Sequence, residues 1–263
     1  MILSLSLLGV FEACLDGQPV KGFYSSKVRA LLVYLAVEAG RPHSRAVLAA
    51  LLWPDWADRA ALGNLRFSLS KLRQAINDQD SVPSFLLINR DTIQLNPSAD
   101  LALDIRLFEQ ELHASQWESA DVDGQPESAV RSAIEHLATA MSLYRGSFLE
   151  GFSVGDSAAF EEWALIKREQ IERAARWALH GLTALHGRLG DHATAERYVR
   201  RLLDMDPWDE LANRRLMSAL ERGGQRNAAL RHYTVYCAEL AKELGAGPDE
   251  ETTALYEQME RGK

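Results

Sequence analysis

The residues best suited to binding another molecule lie in the stretch 58–76, where apolar side chains recur at helical spacing. The apolar positions, which form one stripe on an α-helix, are Leu62, Leu65, Leu69, Leu72 and Ile76. At about 100° per residue, the side chains opposite the stripe are Phe67, Ser70, Lys71 and Gln74, and those on its flanks are Asn64, Arg66, Ser68 and Arg73. No acidic residue lies between Arg59 and Asn77.

The chemistry of this polar face is that of nucleic-acid recognition. Arginine and lysine donate to guanine edges and phosphates, asparagine and glutamine pair with adenine, and an apolar ring can contact a thymine methyl. The pattern predicts a helix in a DNA major groove, with Arg66, Phe67, Ser70, Lys71 and Gln74 nearest the bases and Asn64, Ser68 and Arg73 as positioning residues. An ordinary solvated helix has the same polar face, so this stretch alone leaves both interpretations open.

Two predicted helices precede this stretch and would position it. Ser25 or Ser26 caps a first helix that ends near Gly40, and Ser44 caps a second. Trp53-Pro54 ends the second helix, because the residue before a proline is disfavoured in helical geometry. The order of helix, loop and basic-polar helix is typical of a helix-turn-helix, in which Arg45 would contact the DNA backbone.

Alternating sequences on both sides of these helices predict strands. Leu3, Leu5 and Leu7 alternate with serines, and Asp16-Gly17 is a favourable hairpin turn. After the recognition stretch, residues 85–88 and 92–95 predict a second hairpin, the wing of a winged helix. Arg90 at its tip would enter a minor groove or touch a phosphate, although a plain surface turn with Asp91 beside it fits as well.

Four short motifs in this order resemble those of a known family. They are Lys27-Val-Arg-Ala-Leu-Leu-Val-Tyr-Leu-Ala36, Gly40-Arg-Pro42, Leu51-Leu-Trp-Pro-Asp55 and Asn64-Leu-Arg66 with Leu69-Ser-Lys-Leu-Arg73. Together they are similar to the SARP-type transcriptional activators, which carry an OmpR-type winged helix followed by a bacterial transcriptional activation domain of tetratricopeptide-like helices. The resemblance implies binding to direct-repeat DNA by side-by-side protomers, and recruitment of RNA polymerase.

From Asp100 onward the sequence predicts helices and no strand. Long helical segments fall at about 157–189, 192–205, 209–222 and 225–244, and residues 115–127 predict a loop. An offset of 34 residues aligns Gly190 with Gly224, Leu182 with Leu216 and Ala195 with Ala229, which is the tetratricopeptide period. The segment Tyr144-Arg-Gly-Ser-Phe-Leu-Glu150 resembles the activation domain of the same family.

Composition agrees with two domains of different charge. Residues 1–100 carry ten basic and nine acidic side chains, whereas residues 101–263 carry nineteen basic and twenty-eight acidic ones. No membrane span, enzyme motif or metal-ligand spacing is present, so we expect no catalysis, no cofactor, no metal and no membrane partner. Cys14 and Cys237 are far apart in sequence and predict a reducing, cytoplasmic location.

The sequence therefore predicts a mainly α protein. Residues 1–98 would form a winged-helix DNA-binding domain with a small sheet and a wing hairpin, and residues 99–263 an all-α helical repeat domain. The expected function is sequence-specific activation of transcription, with double-stranded DNA and RNA polymerase as partners and a homodimer on DNA. The alternative is a protein-interaction scaffold whose winged helix does not bind DNA, an alternative that the nearly neutral first hundred residues keep open.

Overall fold

The computed structural model describes residues 1–118 and 124–261. In chain order the elements are β1 (Leu3–Ser6), β2 (Glu12–Leu15), β3 (Gln18–Pro19), α1 (Ser26–Val37), β4 (His43–Ser44), α2 (Arg45–Leu52), α3 (Asp58–Ala75), β5 (Leu86–Ile88), β6 (Thr92–Leu95), β7 (Leu101–Leu103), α4 (Asp104–Ala114), α5 (Glu127–Leu143), α6 (Ala158–Arg188), α7 (His192–Met205), α8 (Glu210–Arg222), α9 (Arg226–Leu244) and α10 (Glu250–Arg261). The predicted fold class, a winged helix followed by a helical repeat, is confirmed.

The chain forms two compact units that are each discontinuous in sequence. The first consists of residues 1–109 and 143–172, and the second consists of the described residues of 110–142 and 173–263. The division into functional domains at residue 98 stays a prediction. The compact units have other bounds than the predicted domains, because residues 143–172 of the predicted helical domain pack into the first unit.

The N-terminal sheet of the first unit has the strand order β3-β2-β1-β7. β1 and β2 pair antiparallel, and the turn after β2 places Asp16 and Gly17 at φ 48° and 77°, a pair of left-handed conformations that suits the predicted Asp-Gly turn. β7 pairs in parallel with β1, with Leu3 opposite Leu101. The expectation of no strand beyond Asp100 was wrong, because three residues are too few to show alternation and their partner lies a hundred positions away.

Asp104, the first residue of α4, joins this sheet to the helix that follows it. Its carboxylate is buried and accepts hydrogen bonds from the backbone N–H groups of Leu7 (2.8 and 2.9 Å), Leu8 (2.9 Å) and Ile105 (2.8 Å). Arg145 Nη2 donates to the same carboxylate at 3.1 Å. A single side chain therefore satisfies the donors at the end of β1 and at the start of α4.

Residues 143–172 complete the core of the first unit. Phe148 is fully buried, and the backbone N–H of Leu149 donates to the Leu7 carbonyl at 2.9 Å. The Trp163 ring lies 5.0 Å from the Tyr34 ring of α1, and its indole N–H donates to Glu38 at 3.1 Å. These contacts explain why the compact unit extends past the predicted boundary.

The helix-turn-helix forms where it was predicted. The side chain of Ser25 caps α1, the Ser44 hydroxyl accepts from the Val47 N–H and caps α2, and α2 ends at Leu52 before Trp53-Pro54. The wing, residues 86–95, is the β5–β6 hairpin, and β4 adds a third strand to it. α3 packs on α1 and α2, which fixes the face that it presents to solvent.

The helical repeat of the second unit follows the predicted period. The observed helices Ala158–Arg188, His192–Met205, Glu210–Arg222 and Arg226–Leu244 differ from the predicted bounds by no more than one residue at either end. Gly190 and Gly224 have φ 76° and 78°, the left-handed conformation that glycine adopts readily where a helix ends. α10, which the sequence analysis did not predict, packs on α8 and α9. The predicted loop 115–127 falls partly outside the described residues.

Asp209 connects two helices of the second unit and should make its stability depend on pH. Its carboxylate caps α8 by accepting from the Ala212 N–H at 2.8 Å and contacts Nε2 of His180 at 2.8 Å. Burial alone would raise the pKa of Asp209, but the hydrogen bonds from His180 and Ala212 outweigh it and lower the pKa below its usual range. A lowered pKa adds stability above the carboxyl's unfolded pKa and loses it as the pH falls through the folded pKa.

Replacing Asp209 by alanine should therefore cost roughly 1 kcal/mol of unfolding free energy at pH 7, the usual value of an N-cap. It should also make stability fall less steeply between about pH 5 and pH 3 than in the parent. Urea unfolding followed by circular dichroism over that range measures both effects. Asp204→Ala, at an exposed position of α7, is the matched control, and equal acid sensitivity of the Asp209 variant and the parent would contradict the assignment.

Within residues 1–118 and 124–261, no helix combines the length and apolar character needed to cross a membrane.

Candidate nucleic-acid interface

The solvent face of α3 carries most of the predicted site. Arg66, Phe67, Ser70 and Gln74 are exposed, whereas Asn64, Lys71 and Arg73 are partly exposed. Their spacing of three and four residues places them on neighbouring turns of one helix. The opposite face, which includes Leu65, Leu69 and Leu72, is buried.

The burial of Ser68 differs from the sequence prediction. Its side chain is only 5% exposed, so the hydroxyl lies on the core side of α3 and not on the flank where the periodicity placed it. The reason is that Ser68 follows Leu65 by three residues and precedes Leu72 by four, the spacing of a second buried row beside the leucine stripe. Leu62, in contrast, is only partly buried. We therefore remove Ser68 from the residues expected to contact DNA.

The α3–wing cleft, which lies between α3 and the wing, brings together five of the predicted residues, Arg45, Arg66, Ser70, Arg73 and Arg90. The other lining residues are Leu69, Gln79 and Ile88. Among the described residues, those that line the cleft therefore carry four guanidinium groups and no carboxylate. Guanidinium groups bind phosphate oxygens in a bidentate manner, so this concentration of donors suits a polyanion.

Arg45 positions the wing. At the first turn of α2, its Nε and Nη2 donate to the carbonyl oxygen of Asn89 at 3.2 and 3.0 Å, and its backbone N–H donates to the Asp91 carbonyl at 3.0 Å. Asn89 and Asp91 flank Arg90, which is exposed at the wing tip. Arg45 therefore contributes charge to the cleft and also holds the turn that carries Arg90.

Arg73 is partly neutralised by an acidic partner. Its Nε lies 2.9 Å from Oδ2 of Asp78, a carboxylate that is 1% exposed and also accepts from the Leu86 N–H at 2.9 Å. The pair connects the end of α3 to the first strand of the wing. Arg73 therefore fits the predicted role of a positioning residue better than that of a base contact.

An aromatic cluster, formed by Tyr24, Phe67 and Lys71, lies beside the polar face of α3. The Tyr24 and Phe67 rings meet edge to face at 5.0 Å, and the Lys71 ammonium lies 5.7 Å from the Tyr24 ring and 5.6 Å from the Phe67 ring. Tyr24 is 64% exposed and Phe67 is 47% exposed, so these rings are not core residues. They hold Lys71 by cation–π attraction and present an apolar edge to solvent.

Tyr24 is the residue of this site that sequence analysis missed. It precedes the cap of α1 and is separated from Phe67 by more than forty positions, so no periodicity links the two. The sequence shows only that a large aromatic residue stands just before the N-cap of α1. That observation does not by itself indicate a function.

Among residues 1–118 and 124–261, no three histidine, cysteine, aspartate or glutamate side chains are grouped as metal ligands. The guanidinium groups at α3 and the wing can attract and orient an anion.

A family model described as bacterial transcriptional activator domain matches residues 103–260. The chain belongs to the bacterial transcriptional activator domain family. The SARP-type resemblance predicted from the motifs is confirmed, since this family match and the relatives below agree with it. The bacterial transcriptional activator domain family is one of transcription regulators and not a class of enzymes.

Two named relatives extend the match over the winged helix. The transcriptional regulatory protein EmbR of Mycobacterium tuberculosis is 23% identical over 259 residues, which are 98% of this chain and 63% of EmbR. The regulatory protein AfsR of Streptomyces coelicolor is 28% identical over 249 residues, which are 94% of this chain and 23% of AfsR. The chain thus spans less than two thirds of the length of either relative.

A solved structure of Mycobacterium tuberculosis EmbR, in complex with a low-affinity phosphopeptide, has the same fold as this bacterial transcriptional activator domain protein. The TM-score is 0.74 at 23% identity, and the match covers 99% of this chain and 65% of the EmbR chain.

Proposed function

We propose that this protein is a sequence-specific DNA-binding activator of transcription. The α3–wing cleft carries the proposal, because it gathers four arginines beside the exposed polar face of a helix-turn-helix. Arg66, Phe67, Ser70, Lys71 and Gln74 would contact bases or nearby phosphates, and Asn64, Arg73, Arg45 and Arg90 would fix the register on the backbone. The family supports a regulatory role.

The remaining parts of the proposal rest on the family resemblance. Protomers would bind side by side on direct repeats as a homodimer on DNA, and the helical domain would contact RNA polymerase or a second protomer. Such a protein would act in the cytoplasm, without enzymatic activity and without a membrane partner. A scaffold that binds only proteins is the competing function, and the nearly balanced charge of the first hundred residues is the observation that favours it.

Selection from a pool of random duplexes at two salt concentrations tests the proposal. We expect enrichment of a repeated motif with half-sites about one helical turn apart, or a multiple of that distance. If the four cleft arginines each meet a phosphate, log K should fall against log salt with a slope of about −3.6 per protomer. No enrichment even at low salt would reject DNA recognition and favour the scaffold.

Arg45 gives a narrower test of the wing. Arg45→Ala removes both hydrogen bonds to Asn89, so we expect affinity for the selected duplex to fall roughly fivefold, because an exposed hydrogen bond contributes only about 1 kcal/mol. Arg45→Lys keeps the charge but not the planar fork, and should recover only part of the loss. Fluorescence anisotropy measures both. Unchanged affinity of the alanine variant would show that the wing does not depend on this contact.

A further inference from the structure

A second cleft borders α3, between its C-terminal half and the β2–β3 hairpin with the segment 20–24 that follows the hairpin. We call it the α3–hairpin cleft. The side chains that decide its chemistry are Asp16, Lys21, Tyr24, Lys71, Gln74 and Asn77. All of them belong to the first unit. Of these six, the DNA-binding proposal uses only Lys71 and Gln74, which leaves the hairpin side of the cleft without a function.

The two clefts receive different rows of side chains from α3. Arg66, Ser70 and Arg73 line the α3–wing cleft, whereas Lys71 and Gln74 line the α3–hairpin cleft. Each residue of the second row follows a residue of the first row by one position, which turns it about 100° around the helix. The exposed face of α3 therefore has a cleft with hydrogen-bond donors on each side.

A helix inserted into a major groove has a phosphate backbone on both sides. The groove is about 12 Å wide and an α-helix with its side chains is about 10–12 Å across, so the two flanks of the helix face the two strands. If the α3–wing cleft faces one backbone, the α3–hairpin cleft is the part of the first unit that faces the other.

Both lysines of the α3–hairpin cleft are available to an anion. Among the described residues, the lysines that form ion pairs are Lys27, Lys167 and Lys242, so Lys21 and Lys71 have no carboxylate partner there. Lys21 is exposed. Its ammonium can therefore reach a phosphate without first breaking an interaction within the protein.

One carboxylate lines the same cleft. Asp16 Oδ1 accepts from the backbone N–H of Ile2 at 2.7 Å, which holds the carboxylate at the turn of the hairpin. The side chains of the described lining still carry two ammonium groups against this one carboxylate, so the cleft attracts an anion.

The Tyr24 hydroxyl is a third donor of this cleft. The described interactions of Tyr24 are the ring contacts with Phe67 and Lys71, and none of them involves the hydroxyl. The position of the ring is restricted by these contacts, and the next residue, Ser25, caps α1. A tyrosine that is 64% exposed and held in this way can donate to a ligand with little loss of conformational freedom.

We propose that the α3–hairpin cleft contacts the DNA strand opposite the one at the α3–wing cleft, with Lys21 Nζ and the Tyr24 hydroxyl donating to phosphate oxygens. Lysine and tyrosine are both among the side chains that bind phosphates in protein–DNA complexes. Neither residue belongs to the helix-turn-helix or to the wing. They are positioning residues, which fix how α3 lies in the groove and carry no sequence information. This inference rests on the proposed DNA-binding function and adds residues to the same site.

Fluorescence anisotropy of the full chain on the selected duplex, at several salt concentrations, tests the two residues. Lys21→Ala should weaken binding roughly fivefold at low salt and make the slope of log K against log salt shallower by about 0.9, because one phosphate is no longer neutralised. Tyr24→Phe keeps the ring and should weaken binding about threefold at an unchanged slope, because a neutral donor releases no counterion. Lys242→Ala, the same charge change at an exposed position of α9, should leave the slope unchanged.

Replacing single phosphates of the selected duplex by neutral methylphosphonates locates the contacts. At the phosphate that Lys21 contacts, the replacement should weaken binding of the parent but not of Lys21→Ala. Phosphates assigned in the same way with Arg45→Ala, which removes a guanidinium of the α3–wing cleft, should lie on the other strand across the major groove. Equal sensitivity of the parent and Lys21→Ala at every phosphate, or assignment of Lys21 and Arg45 to the same strand, would overturn the proposal.

The same titrations separate this inference from the DNA-binding proposal. If the parent binds no duplex, both are rejected. If the parent binds the selected duplex and Arg66→Ala with Lys71→Ala weakens that binding, while Lys21→Ala and Tyr24→Phe leave affinity and slope unchanged, only the role of the α3–hairpin cleft is rejected.

Discussion

Asp104→Ala should lower the free energy of unfolding of the first unit by about 3 kcal/mol, since it leaves several buried donors without an acceptor. The lost acceptor serves Leu7, Leu8, Ile105 and Arg145. No other described side chain accepts from the N–H groups of Leu7 and Leu8, so water would have to enter the end of β1 to replace it. Urea denaturation followed by tryptophan fluorescence measures the loss.

Two further variants show whether the effect comes from the buried carboxylate. Asp104→Asn keeps one acceptor oxygen and the shape of the side chain, so its loss should lie between those of the parent and the alanine variant. Asp100→Ala removes an exposed carboxylate just before β7 and should change stability by less than about 0.5 kcal/mol. A loss below about 1 kcal/mol for Asp104→Ala would mean that solvent already satisfies the donors.

The double variant Arg66→Ala with Lys71→Ala should reduce affinity for the selected duplex by roughly a hundredfold, because each specific contact to a base edge is worth about 1–3 kcal/mol. The slope of log K against log salt should also become shallower for each phosphate contact that is lost. Neither side chain belongs to the buried face of α3, so we expect the melting temperature to fall by no more than a few degrees, from loss of the Lys71 cation–π contacts. Titration of labelled duplex at several salt concentrations measures both quantities.

Charge-matched and position-matched controls make this result specific. Arg106→Ala removes a positive charge from the exposed side of α4, outside the α3–wing cleft, and should leave affinity nearly unchanged. Ser68→Ala changes a buried residue of α3 and should leave the affinity of the folded protein unchanged. Retention of full affinity by the double variant would contradict the assignment of α3 as the reading helix.

Local spacing made most of the architecture predictable. The caps at Ser25 and Ser44, the turn at Asp16-Gly17 and the 34-residue offset between Gly190 and Gly224 are all rules of neighbouring residues, and all are confirmed. The polar face of α3 was found in the same way, since helical period alone decides which side chains share a face. Whether that face binds DNA stays a prediction.

Features that depend on distant partners were not predictable in this way. β7 is defined by its pairing with β1, and Tyr24 belongs to the site only because its ring contacts Phe67. The division of the chain into two units, each made of two separate segments, also depends on contacts between residues that are distant in sequence. Such long-range contacts have no fixed spacing, so a single sequence carries no periodic signal of them.

The discontinuity of the first unit has a consequence for how the protein is made. Residues 1–109 are synthesised before Phe148 and Trp163, which contribute to the core of the same unit. At about 5–20 residues per second, the intervening stretch to residue 172 takes roughly 3 to 13 s to make. During that interval Leu7 and Tyr34 lack the partners Leu149 and Trp163 that they contact in the folded unit. We therefore expect the first unit to complete its fold only after residue 172, in the middle of α6, has been synthesised.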